Sequence, residues 1–104
     1  MNEIEKMYER ANVKKHWDPT PYGGIVEYYP PFTAEKQLFL LRWLLDKTDL
    51  YLHRHKTDFI YSIASGNYAV NKYKDFKESI AEFVNKIWQD LTEEEKQHVK
   101  GILE

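Results

Sequence analysis

The sequence predicts an α+β fold: a small antiparallel sheet of two to four strands, packed on one face by two long helices, with a further helix at the C-terminal end. Three observations predict it. Two segments, 34–47 and 75–91, carry apolar residues at helical spacing. Between them, "DLYLHRHK" and "DFIYSIAS" alternate with period two. After them, "TEEEKQHVKGILE" begins with a capping pattern, Thr92 followed by Glu95. The 104 residues suit one domain with a modest core. Within it, 1–24 reads as an N-terminal helix and loop, and 25–104 as the α+β core.

In chain order, "NEIEKMYERA" predicts a short helix with Ile4, Met7 and Tyr8 on one side. "NVKKHWDPTPYGG" is rich in Pro and Gly and reads as a loop. "GIVEYYPP" reads as a short strand stopped by Pro30 and Pro31, which have no N–H for a ladder. Thr33 is the expected N-cap of the first long helix, with Glu35 at the positive end of its dipole. Leu38, Leu41, Leu44 and Leu45 form the expected core stripe. Phe39, Leu40 and Trp43 extend the apolar surface nearly all the way round. A helix that apolar must be covered on more than one side.

A tight turn at Lys56–Thr57 would place His55 opposite Asp58, His53 opposite Ile60 and Leu52 opposite Tyr61. One face then carries Leu50, Leu52, Phe59, Tyr61 and Ile63, and the other Tyr51, His53, His55, Asp58 and Ser62. "SGN" at 65–67 is a turn signal, and "YAVNKY" is a candidate third strand. Asp75 and Glu78 make a capping-box-like start to the second long helix. There Phe76, Ile80, Phe83, Val84, Ile87 and Leu91 recur at helical spacing, with Trp88 alongside.

Composition excludes several function classes. There is no cysteine, so disulfides, thiol catalysis and zinc–thiolate sites are out. Net charge is −2, so no global basic field advertises nucleic acid or a membrane surface. "LFLLRWLL" is the longest apolar run and contains an arginine, far short of the roughly 20 residues that span a bilayer. "MNEIEKMYER" lacks the apolar run of a secretion signal. A cytoplasmic protein with no membrane partner is expected.

Chemistry-bearing groups are sparse. His53 and His55 point the same way on a strand and with Asp58 form the candidate metal set. The competing reading is a solvated strand face. Ser62 and Ser65 lie near the histidines but in no nucleophile turn. Gly23–Gly24 and Gly66 match no phosphate-binding pattern. Neither an enzyme nor a cofactor is expected. Arg54, Lys56, Lys72, Lys74 and Lys77 outnumber Asp58 and Asp75 in the middle of the chain. The element order over 33–91 resembles that of a double-stranded-RNA-binding domain. That family's Gly-Pro-x-His loop is absent, and its lysine cluster is replaced by "KYKDFKES". Nucleic acid is therefore the alternative partner. Protein binding is the leading one, with Trp17, Phe39 and Trp43 as candidate contacts. A two-fold homodimer would cover the extra helix face.

"YPPFTAEKQLFLLRWLL" and "FVNKIWQDLTEEEKQHVKGILE" together resemble a group of small proteins carried by phages and prophages of Gram-positive bacteria. The likeness covers most of 29–104. It implies a phage or mobile-element origin, a bacterial host cytoplasm and a host or phage protein as partner. It implies no activity, and 49–73 lie outside its motifs.

Overall fold

Asn2 opens the first helix by accepting the Glu5 N–H on its side-chain oxygen at 2.8 Å, the bond an N-cap supplies to an otherwise unpaired donor. The computed structural model describes residues 2–47, 51–55, 60–65, 68–73 and 75–104, with side chains for 2–47 and 75–104. Helix α1 spans Glu3–Arg10, and Met7 and Tyr8 are buried on its inner side, as the spacing predicts.

The expected loop after it is instead half of a β-hairpin. Strand β1, His16–Pro19, pairs antiparallel with β2, Ile25–Tyr28. The connection explains the difference. Gly23 N–H donates to the Thr20 carbonyl at 3.2 Å, and Thr20 N–H donates to the Gly24 carbonyl at 2.7 Å. Pro21 thus sits where a fixed φ favours the turn, and Gly23 takes φ 86°, open to glycine at no steric cost. This is a three-residue hairpin loop with a G1 bulge. The Pro and Gly that read as loop composition are turn chemistry between two strands.

Helix α2, Ala34–Lys47, starts on the expected cap: Thr33 Oγ1 accepts the Lys36 N–H at 3.3 Å. Its core face differs from the expected stripe. Leu40 and Leu44 are fully buried, Leu41 and Trp43 pack against the core from partly buried positions, and Leu38 and Leu45 are exposed. The cause is the choice of neighbours. α2 packs beside α3, Phe76–Ile87, and α4, Glu93–Leu103. These select one of several apolar faces that sequence periodicity leaves equivalent.

Three further strands form an antiparallel sheet in the order β3 (Tyr51–His55), β4 (Ile60–Ser65), β5 (Tyr68–Tyr73). The fold is therefore α+β, and the candidate third strand is present. The β3–β4 register sets His55 opposite Ile60, His53 opposite Ser62 and Leu52 opposite Ile63. This is displaced by two from the expected pairing, because Lys-Thr lacks the Gly or Asn that a two-residue turn demands. An even displacement leaves the two alternating sets of residues intact. The expected turn at Lys56–Thr57 lies outside the described residues, as do Asp58 and Phe59 of that hairpin, Leu50 before it, and Gly66 and Asn67 of the second turn. α3 lies against β4 and β5.

α3 is the hub. Its inner side buries Ile80, Ala81, Phe83, Val84 and Ile87. At its N-cap, Asp75 accepts the Lys77 N–H at 3.1 Å. Glu78 does not close a box there. Its carboxylate lies instead beside the backbone of Glu3, at the start of α1. Burial, with Asp75 and Glu3 nearby, raises the Glu78 pKa above the ordinary carboxylate range. A 3-10 turn, Trp88–Asp90, leads to α4. There Thr92 and Glu95 form the expected capping box, with Thr92 Oγ1 accepting the Glu95 N–H at 3.2 Å and the Glu95 carboxylate accepting the Thr92 N–H at 2.9 Å. Trp88 packs across that corner, with the Lys96 ammonium 5.8 Å from its ring centre. At the other end of α4, Lys36 Nζ donates to the Leu103 carbonyl at 2.8 Å, a cation on a helix C-terminus.

Candidate interaction surface

The buried core runs through α1, α2, α3 and α4, and the β1–β2 hairpin contributes nothing to it: every residue of both strands is exposed. Trp17 is 63% exposed, Tyr22 at the loop tip 97%, and Ile25 66%, with Val26 and Tyr28 also exposed. A two-stranded ribbon is marginal in isolation, so its supports matter. Tyr28 donates its hydroxyl to the Asp18 carboxylate across the strands at 3.0 Å. That bond and the Asp18 charge hold the Tyr28 phenol above its usual pKa. The His16 ring stacks on Tyr28 at 5.9 Å.

The base of the hairpin is anchored to α1 by rings. Tyr29 stacks on Tyr8 at 5.1 Å, and Phe32 meets Tyr8 edge-on at 6.3 Å. Both arrangements satisfy the ring quadrupoles. Lys15 covers the Tyr29 ring at 5.0 Å, a cation–π contact. These residues line an open cleft of about 480 Å³, with Glu5 and Glu27 contributing carboxylates. The Tyr8 hydroxyl is buried with no hydrogen-bond partner among the described residues, and desolvation pushes its pKa up to about 12.

A second apolar region lies on α2. Phe39 is 53% exposed and lines an open groove of about 710 Å³ between α2 and α4, with Lys36, His98 and Ile102. Trp43 is not its companion. It lies partly buried, its ring 5.5 Å from that of His98, under the Lys47 ammonium at 5.8 Å. Lys47 in turn is paired with Glu95. Of the three expected contact residues, Trp17 and Phe39 are free on the surface, on separate elements, and Trp43 belongs mainly to the α2–α4 packing.

The other candidate sets are less gathered. Lys77 is exposed beside its own N-cap, with Nζ 3.6 Å from the Asp75 carboxylate, so its charge is locally opposed. Arg54 and Lys72 stand on β3 and β5, and Lys56 and Lys74 lie outside the described residues. His53 and His55 stand two apart on β3, and Asp58, their candidate third ligand, also lies outside the described residues. His16, on β1, belongs to a different sheet. No group of three metal-ligating side chains occurs among the described residues, and no helix there is long and apolar enough to cross a membrane. The hairpin as a surface was missed by sequence reasoning. The signal for it was Thr20-Pro21-Tyr22-Gly23-Gly24 between two short segments containing Trp17, Ile25, Val26 and Tyr28. No protein-family model, curated protein or solved structure matches the chain.

Proposed function

We propose that this chain is a non-enzymatic interaction module, acting in a bacterial host cytoplasm by occluding the surface of a partner protein. The observation that supports it is the hairpin: five large apolar or aromatic side chains lie on an element that buries none of them in the core. Exposed patches of this kind on a small folded chain mark interaction sites, and Trp and Tyr are the residue types that dominate interface energetics. The resemblance of most of 29–104 to small phage and prophage proteins is consistent with a host protein as target.

The experiment is a tagged capture from Gram-positive host lysate, with and without nuclease, comparing wild type with Trp17→Ala. The expected result is one host protein retained after nuclease at high salt and lost with Trp17→Ala. The variant should keep the wild-type melting temperature, because Trp17 supports no core residue. Retention that depends on nucleic acid and falls steeply with salt would overturn the reading in favour of the basic segment.

A further inference from the structure

We propose that the free edge of β1 pairs with β1 of a second copy, joining two hairpins into a four-stranded antiparallel sheet. The inference goes beyond the interaction reading: it concerns the backbone edge of the hairpin and leaves the Trp17 face for a partner.

Among the described residues the hairpin sheet contains only β1 and β2, so one edge of β1 has no strand partner there. Alternation tells which groups point outward there. Thr20 and Gly24 are a hydrogen-bonded pair. In an antiparallel ladder such pairs alternate with non-hydrogen-bonded ones. Asp18–Val26 and His16–Tyr28 are then bonded inward, while Trp17–Glu27 and Pro19–Ile25 are not. The backbone groups of Trp17 therefore face outward, and continuing the alternation those of Lys15 do too. Pro19 also occupies an outward position, where its missing N–H harms no bond to β2.

β1 begins at His16, and with the two residues before it the sequence "KKHWD" at 14–18 is complementary to itself when run antiparallel about His16. Lys15 then bonds Trp17 of the other copy through outward-facing backbone groups. Lys14 stands opposite Asp18 of the other copy, twice by symmetry. These are opposite charges in the closer, non-hydrogen-bonded positions. A two-fold axis through Trp17 is worse, because it sets Lys15 against Pro19, which has no N–H to give. Self-pairing of β2 about Val26 is worse again, because it sets Ile25 against the Glu27 carboxylate. Lys14, His16, Trp17 and Asp18 are all exposed, so the edge is accessible as it stands.

The test is sedimentation equilibrium of wild type, Lys14→Asp, Asp18→Lys and an equimolar mixture of the two variants, each checked for native melting. Wild type should self-associate. Each variant alone faces two like-charge contacts and should associate roughly tenfold or more weakly. The mixture restores both opposite-charge contacts and should associate clearly more tightly than either variant alone. Wild type that stays monomeric to about millimolar concentration would overturn the proposal. So would variants that associate like wild type, or a mixture no tighter than its components. A monomer that still captures a host protein through Trp17 would sink the dimer and leave the interaction reading standing.

Discussion

The Asn85 side-chain amide donates to both the backbone carbonyl and the carboxylate of Glu3, each at 2.9 Å, across 82 positions of sequence. Asn85 is buried on α3, and Glu3 opens α1. Glu78, two helical turns before Asn85, lies near the Glu3 backbone as well. One residue of α1 is therefore gripped at its carbonyl and its side chain by α3. Asn85→Ala leaves the carbonyl and carboxylate without that donor. It should cost about 1–3 kcal/mol, read as a lower midpoint in urea with an unchanged slope.

The face that α2 presents to α3 and α4 is tested by two neighbouring leucines. Leu44 is fully buried and Leu45 is 52% exposed. Leu44→Ala should cost about 2–5 kcal/mol through lost burial and a cavity. Leu45→Ala should change stability by no more than about 0.5 kcal/mol. Equal costs measured by urea denaturation would mean that both leucines are covered.

Tyr8 gives the chain an alkaline sensitivity. Its folded pKa is about 12 against an ordinary 10.0, so the unfolded chain releases this proton first. The contribution to stability is complete below pH 10 and is lost as the pH rises towards about 12. Tyr8→Phe removes a buried hydroxyl that has no partner among the described residues. The variant should be as stable as wild type or more so at pH 7. Its advantage should widen at pH 11, compared by denaturant titration at the two pH values.

Cap chemistry was readable because it is local. Thr33, Asp75 and Thr92 each sit within four residues of the N–H they accept, and sequence spacing encodes such bonds directly. The face of α2 was not readable from its own periodicity. Leucine, phenylalanine or tryptophan occupies 38–41 and 43–45, so the helices around it make the choice. Glu78 looks like half of a capping box and faces another helix, because the fold brings Glu3 beside it from 75 positions away in sequence. The hairpin was hidden by composition: Pro21, Gly23 and Gly24 suggest a loop until Thr20 and Gly24 are seen to pair. The candidate contact Trp17 was visible as a residue type, but its isolation from the core was not. His53 and His55 were correctly placed on a strand, and the two-residue displacement of that strand removes the expected pairing of His55 with Asp58.

Because no residue of β1 or β2 fills the core, substitutions there are largely invisible to folding. Selection can rewrite Trp17, Ile25 or Val26 without repacking α1, α3 or α4, provided Gly23 keeps its left-handed turn. The core and the arm can then evolve at different rates. The surface of the ribbon can be rewritten while the helical body is inherited intact.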